Sequence, residues 1–573
     1  MQSSFDYDLV IQGAGSSGCV TALLAHRCGL NVAIIDKSSK GTFRGNAHYL
    51  NAYSLELLSQ CGLDMDRLAR LATPETYAFC MAYGLSLNHI VHTLNLLDDP
   101  SIQSQYQSIG RFGAALNVPF SLIHQDLVAL IEKQHIPILW ESEITTIDEG
   151  NHSVIVTTSN EKATREITAH YLIGADGAQS GIRELCFLPP KINTHDFFIN
   201  VEIMSDLSSM ITDPAMLTWI INPSFPSCFV MHQINGHQNI QIPVFIEKNL
   251  SYANDSQWVK RYIAETLGVK NAEYTLIRSQ PWVVTTHCME TMRKDWIFLL
   301  GDSSHTLTPA GGLGLNTALG DVANLIWKLS VSLNENSNKK ILDSYQLERA
   351  PVNRDAVNQS LKNFNDFKSI AKSFFLPPSL SVPWKKTLSY CMPASKHAIE
   401  TILSAGYQYS MNGLLQIKPF KRQFARKLEH RLERTRQHFN GIGSHLGYRI
   451  DSDWIINSNR SSNFSIGDYV PSLDSGSLWL SNEIRIIQSN NSLLEVFQYG
   501  HWVALLFHED HTLEAMLNEK KNLRSFLQHR DFTVQDNLDI TQSCVLIRPD
   551  FFIAYVGDTT LNDEVLDLLA QVN

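Results

Sequence analysis

Close to the N-terminus an apolar run, Tyr7-Asp8-Leu9-Val10-Ile11-Gln12, breaks at Gly13-Ala14-Gly15-Ser16-Ser17-Gly18 and passes into the helical stretch Cys19 to Arg27. A buried strand, a glycine turn and a helix in that order form a dinucleotide fingerprint. Gly13 permits the tight turn, and Gly15 lets backbone approach a pyrophosphate with no Cβ in the way. Gly18 allows the helix to pack on the sheet, and Ser17 lies in the same phosphate-facing turn. The phosphate belongs at the helix N-terminus, where unpaired N–H groups and the helix dipole favour negative charge. A second strand, Asn31 to Ile35, ends at Asp36, eighteen residues past Gly18. There a carboxylate can accept hydrogen bonds from ribose hydroxyls, with Lys37 beside it. These residues alone do not separate NAD from FAD, and an ordinary glycine turn before a helix is the competing reading.

Four further segments narrow the choice. The first is Gly301-Asp302-Ser303-Ser304-His305 with Pro309, Gly311-Gly312-Leu313-Gly314-Leu315-Asn316 and the helical run Asp321 to Leu329. The others are Tyr171 to Arg183 with Asp176-Gly177 at its centre, Tyr345 to Val352, and Ala47 to Glu56. Together they resemble the motifs of the single-component FAD-dependent aromatic hydroxylases, the p-hydroxybenzoate hydroxylase superfamily, in its phenol and chlorophenol hydroxylase branch. The resemblance implies an α/β fold: a Rossmann-like FAD-binding domain, an inserted β-sheet substrate domain and a C-terminal thioredoxin-like domain. It also implies FAD as cofactor, NADPH or NADH as co-substrate, and hydroxylation of a phenolic or polycyclic aromatic ring with O2 through a flavin C4a-hydroperoxide. A Baeyer–Villiger or epoxidising oxygenase on the same scaffold, or a non-catalytic flavin-binding interaction protein, are the alternatives.

Physical reasons accompany the second motif. After the apolar strand Trp296 to Leu300, Asp302 stands at a strand's C-terminal edge, where a carboxylate can hold a ribityl hydroxyl. Gly312 and Gly314 bring bare backbone to a flat ring. The helix from Leu315 and Asn316 onward aims N–H groups at the pyrimidine carbonyl, which stabilises the reduced anion. Pro309 either shapes an oxygen pocket or stiffens the loop. In Ile123-His124-Gln125 the family shows a flavin-contacting residue; Gln125 is preferred, with His124 the other choice. Arg183 is either a cofactor contact or a structural ion-pair partner. The chain departs from the family at Asn46 and Tyr53, where arginine is usual, and Arg44 is the expected substitute.

The chain has 573 residues, 44% apolar and 18% charged, which suits two or three globular domains. A net charge of −11 argues against nucleic-acid binding. Nine cysteines without a CxxC spacing, and a core strand within a few residues of the start, read as a reduced, cytoplasmic, unprocessed protein. Flavin-domain segments are expected at 1–185 and 291–455, the latter with a helical region, around a substrate sheet at 186–290. Strands are expected at Ala215 to Ile221, Ser227 to Met231 and Ile240 to Ile246, and Trp219, Phe229, His232 and Trp282 are candidates to line the substrate site. The basic helix Lys421 to Arg436 carries a Phe424, Leu428, Leu432 ridge; core packing is the preferred reading over membrane contact. A linker at Asn457 to Asn463 precedes the thioredoxin-like tail at 464–573, whose Leu546-Ile547-Arg548-Pro549-Asp550 carries that resemblance. Lacking a CxxC, the tail reads as structural or as an oligomer contact, which leaves room for a homodimer.

Overall fold

The computed structural model describes residues 5–373 apart from 43–47, 101–102, 104–114, 151, 160–162, 223–224, 245–246, 270–271 and 334–338. Beyond 373 it describes strand segments between 478 and 558 and the turn 548–552. Arg44, Asn46, the helix expected at 421–436 and the linker expected at 457–463 lie outside the described residues.

The first sheet begins with Tyr7–Gln12, whose Leu9, Val10 and Ile11 are fully buried. Hydrophobic on both faces, this strand can only be central, and it pairs in parallel with Val32–Ile35 on one side and Thr164–Gly174 on the other. Ile138–Leu139 and Ile297–Leu299 extend the parallel set outward. The strands Glu143–Gly150 and Ser153–Ser159 and the short Arg293–Lys294 add antiparallel pairings. The helix Ser16–Arg27 buries eight consecutive residues, Gly18 to Ala25, between this sheet and its neighbours. Its third glycine is required sterically, since a Cβ on Gly18 would collide with the Gly13 carbonyl oxygen.

The second sheet runs in the order His305–Thr306, Thr275–Cys288, Asn193–Met204, His237–Val244, Ser227–Met231, Leu217–Ile220, Cys80–Ser86, His89–Asn95. It therefore reaches past the 186–290 stretch on both sides. The hairpin at 80–95 enters through a parallel pairing of Cys80–Ser86 with Leu217–Ile220. One face is covered by the helix Ser256–Leu267, which starts where Asp255 accepts hydrogen bonds from the Gln257 and Trp258 N–H groups and stops at left-handed Gly268. Val259, Ile263 and Leu267 of that helix pack against Ile199, Phe229 and Ile240. The other face looks toward the glycine turns of the first sheet.

Two long helices return the chain to the first domain. Leu313–Ser332 is buried along nearly its whole length, and Asp343–Ser373 follows it with Pro351 inside. The later strands form a set ordered Leu523–Leu527, Trp502–Leu506, Ser543–Ile547, Ile553–Asp558, with a separate three-stranded set at 478–535. The turn 548–552 plugs into the first domain. Arg548, fully buried, donates to both Glu348 carboxylate oxygens at 2.8 and 2.9 Å and to both of Asp550 at 2.8 and 3.0 Å. Lys328 Nζ donates to Glu348 at 2.8 Å and to Asn324 at 2.8 Å. Tyr53 is buried against Phe552 and donates its hydroxyl to the Asp550 carbonyl at 3.2 Å. Tyr53 thus belongs to the seam with the C-terminal segment. No helix among the described residues is long and apolar enough to cross a membrane.

Candidate functional site

A cavity of about 890 Å³ lies between the two sheets. One wall is built by the turns that leave the C-terminal ends of the parallel strands, the usual place for ligands in open α/β sheets. Gly13 adopts a left-handed φ of 109°, and a Cβ there would strike the Ala175 carbonyl. Gly15 faces open space, with nothing within 4 Å of the position a Cβ would take, so backbone N–H groups are bare toward the cavity. It caps the helix Ser16–Arg27 without any side-chain hydrogen bond, and no acidic residue occupies the first turn. The helix Leu313–Ser332 repeats the arrangement: Gly312, at φ 65°, precedes it, no side chain caps it and no acid stands in its first turn. Two unsatisfied helix N-termini therefore border one cavity, each with partial positive charge and free donors.

Two carboxylates complete this wall. Asp36 is held by the Ala14 N–H at 2.6 Å and the Ser38 N–H at 2.7 Å, which orient it beside the phosphate turn. Asp302, between buried Gly301 and Ser303, is itself exposed where it lines the cavity, and its side chain makes no hydrogen bond among the described residues. Desolvation pushes its carboxyl up, and nearby His305 opposes the shift. Asp176 also lines the cavity; burial raises it, against the pull of the Ser180 hydroxyl and the Ile182 N–H.

Of the predicted contacts, Gly13, Gly15, Ser17, Asp36, Lys37, Asp176, Asp302, Pro309, Gly312, Gly314 and Leu315 all border the cavity. Three do not. Gly18 sits beneath it as a packing residue. Gln125 is exposed on the far side of its helix, Phe120–Lys133. The neighbouring His124 takes the place inside, lining the cavity with Nε2 2.5 Å from the Ala14 carbonyl, its pKa lowered by desolvation. Asn316 is spent on the protein: Oδ1 accepts from the Asn51 N–H and the Ser54 hydroxyl, and Nδ2 donates to the Tyr49 and Gly312 carbonyls. It fastens residues 49–54 to the glycine loop.

Sequence reasoning missed the brace beneath the Gly301-Asp302 turn. Fully buried Asp321 accepts from the Gly301 N–H at 3.1 Å and from Arg349 at 2.9 Å, and pairs with His305 Nε2 at 2.7 Å. His305 and Arg349 together hold the Asp321 carboxyl below its ordinary value despite burial. Arg183 serves the same end, donating to the Ser303 carbonyl at 3.0 Å and the Ala178 carbonyl at 2.8 Å. It ties the Asp176-Gly177 turn to the Asp302 turn.

The opposite wall is the open face of the second sheet. Trp219, Trp282, Val230, Pro243 and Leu217 present apolar surface there, and Phe364 closes one end. Trp282 stacks obliquely on Phe198 with ring centroids 5.9 Å apart. Phe229 and His232 do not line the cavity: Phe229 points to the other face, into the core under the helix Ser256–Leu267, and His232 lies buried behind the wall.

The profile of the family described as "FAD binding domain" matches residues 6–360, more than half of the chain. Among curated proteins, a 2,4-dichlorophenol 6-monooxygenase of Delftia acidovorans is 24% identical over 377 residues, 63% of this chain and 64% of that protein. The aklavinone 12-hydroxylase DnrF of Streptomyces peucetius is 24% identical over 372 residues, 62% of this chain and 74% of that protein. The matched region spans just under two thirds of the dichlorophenol monooxygenases. Among solved structures, the flavin-dependent monooxygenase PieE, in complex with FAD and substrate, superposes with a TM-score of 0.77 at 20% identity, covering 99% of both chains. Aklavinone-11 hydroxylase, with FAD and aklavinone, superposes at 0.72 and 17% identity over 100% of this chain and 99% of its own.

Proposed function

The chain belongs to the FAD-binding domain family, and from that premise we propose that it is an FAD-dependent monooxygenase that hydroxylates a phenolic or polycyclic aromatic compound with NAD(P)H and O2. The observation that carries this reading is the two-sided cavity. One wall offers donors and an unpaired carboxylate suited to a dinucleotide; the other offers tryptophans and aliphatic side chains suited to a flat apolar ring.

The residues fit the cofactor. The open space over Gly15 and the bare N-terminus of Ser16–Arg27 would hold the pyrophosphate. Asp36 would take the ribose hydroxyls and Asp302 a ribityl hydroxyl. The N-terminus of Leu313–Ser332 would face the pyrimidine edge of the ring, where its partial positive charge favours the reduced, anionic state. When bound, FAD reduced by NAD(P)H supplies activated oxygen from O2 for transfer to an electron-rich ring. The chain's share is placement: Trp219 and Trp282 hold the ring against the Pro309–Leu315 loop, and the apolar wall keeps water from that contact. The C-terminal strands are read as a thioredoxin-like domain with a structural role. The names of the matched proteins, on a dichlorophenol and on aklavinone, support an aromatic substrate.

The test is the absorption spectrum of purified protein, followed anaerobically as NADPH and then NADH are added, with and without a panel of phenols. Flavin bands that bleach faster with a phenol are expected. Failure to bind flavin, or flavin that no phenol and neither nucleotide bleaches, would refute the proposal.

A further inference from the structure

The tip of a C-terminal hairpin is joined by buried hydrogen bonds to the glycine loop that faces the cavity. Residues 548–552 connect the strands Ser543–Ile547 and Ile553–Asp558 and are buried against the first domain. Asp550 is their hub. Its carboxylate accepts from Arg548 at 2.8 and 3.0 Å and from Asn324 Nδ2 at 3.3 Å, so it holds the helix Leu313–Ser332. Its backbone carbonyl accepts from the Tyr53 hydroxyl at 3.2 Å, and Phe552 meets the Tyr53 ring edge-on, so the tip also holds the start of the helix Ala52–Gln60. That start holds Leu313–Ser332 in turn: the Asn51 N–H and the Ser54 hydroxyl donate to Asn316 Oδ1 at 2.9 and 2.6 Å. Three elements therefore touch in pairs and close a triangle. Asn316 and Asn324 stand about 12 Å apart along one helix, so it can neither slide nor turn without breaking a contact.

The corner at Asn316 reaches the cavity. Asn316 Nδ2 donates to the Gly312 and Tyr49 carbonyls at 2.7 and 3.0 Å, and both Tyr49 and the loop from Gly311 to Leu315 line the cavity. The fit is close, since a Cβ on Gly312 would lie 2.9 Å from that of Tyr49. Stability alone does not account for the tip. Apolar side chains of the same volume would hold a plug as firmly, whereas directional charge pairs fix one position of it. Phe551 also stands at φ 69°, a left-handed conformation that a bulky side chain keeps only where its surroundings dictate the backbone.

We propose that the C-terminal hairpin tip is a strut for the glycine loop, with Asp550 and Tyr53 as positioning residues: through the triangle they set how closely the N-terminus of Leu313–Ser332 meets the flavin ring, and so the balance between oxidised and reduced flavin. The inference rests on the FAD reading. An open chain of contacts hinges at each joint, whereas a closed triangle has no hinge, so loss of one side frees the loop. The field of a helix end falls off within its first turn, so a small retreat of the loop weakens its hold on the anionic, reduced ring. The strut touches neither cofactor nor substrate, and it acts only through Asn316 and the loop.

The experiment uses the full chain loaded with FAD. Tyr53→Phe removes one side of the triangle with one hydroxyl, and Ser54→Ala removes the shorter bond of a second side. Phe229→Ala, in the core of the second sheet, is the control for stability lost without position lost. The midpoint potential is read from flavin absorbance during slow anaerobic reduction beside a reference dye. Expected in Tyr53→Phe is a shift toward oxidised flavin, about fivefold in the ratio of the two forms at fixed potential. The double variant Tyr53→Phe/Ser54→Ala should shift no further than the larger single, and Phe229→Ala should not shift. In the FAD-free chain, amide hydrogen exchange at residues 312–316 should quicken in Tyr53→Phe. An unshifted potential in both single variants, an equal shift in Phe229→Ala, or single shifts that add in the double variant would overturn the strut while leaving the hydroxylase reading intact. If the unaltered protein retains no FAD, the cofactor reading fails, and the strut with it.

Discussion

Arg548→Met tests how the C-terminal turn is held. Arg548 is fully buried and completes a closed set of two cations, Arg548 and Lys328, and two carboxylates, Glu348 and Asp550. Its guanidinium also lies 5.2 Å over the Trp327 ring. Methionine keeps the length and the contact with Trp327 but leaves two carboxylates facing one ammonium in a buried site. Removing one partner of a buried charge set costs about 3–5 kcal/mol, because the stranded charge is not resolvated. Lys328→Met should cost less. Burial has already pushed Lys328 down to about 8, so its charged form is held less firmly, and Arg548 still bridges both acids after it is gone. The assay is urea unfolding followed by tryptophan fluorescence, with FAD release followed in parallel. The same helix that carries Asn324 and Lys328 presents its N-terminus to the cavity, so FAD should be lost at lower urea in Arg548→Met. A cost for Arg548→Met below about 1 kcal/mol, the ordinary value of an exposed pair, would refute this reasoning, as would Lys328→Met costing more than Arg548→Met.

Gly18→Ala should abolish FAD retention on gel filtration, because its Cβ has no room against the Gly13 carbonyl and the phosphate turn must open to admit it. Asp302→Asn should weaken FAD binding in a fluorescence titration by about 1.5–3 kcal/mol, the usual worth of a hydrogen bond to a charged group, without changing stability of the apoprotein. Trp282→Ala should alter the KM for the aromatic substrate with little effect on unfolding, whereas Phe229→Ala, in the core behind the sheet, should destabilise by about 3–5 kcal/mol. Acid should weaken the fold from pH 6.5 downward. Burial lowers His48 and His287 to about 4, so between those values the unfolded chain binds more protons than the folded one, and stability falls as pH falls. Each histidine contributes a slope of up to about 1.4 kcal/mol per pH unit, and His287→Asn should remove its share in urea titrations repeated across that range.

The glycine turns on one wall of the cavity were legible because their demands are local. A turn that needs a left-handed φ, or a helix that leaves no room for a Cβ, writes glycine into the sequence, and Gly13, Gly18 and Gly312 could be read without knowing what lies opposite. His124 and Gln125 were also separable in principle. The buried positions of Phe120–Lys133 are 120, 123, 124, 127, 128 and 131, a helical stripe that includes His124 and leaves Gln125 outside. The preference for Gln125 followed motif position where periodicity would have decided. What stayed hidden is long-range. The hairpin at 80–95 joins the second sheet through strand Leu217–Ile220, far along the chain, and the Asp321 brace joins a turn to two helices through groups whose sequence neighbours give no sign of it.

Tyr53 shows why a departure from a family pattern cannot be weighed one position at a time. Arginine is usual there, and its loss reads, in sequence, as a weakened cofactor contact. In the structure the side chain at 53 turns toward residues 550 and 552, with its ring edge-on to Phe552 at 6.0 Å and its hydroxyl on the Asp550 carbonyl. That turn already carries the buried guanidinium of Arg548. A second cation at position 53 would stand beside a charge set that is balanced without it, whereas a tyrosine fills the space with an apolar ring and one donor. The exchange therefore belongs with the Arg548 turn.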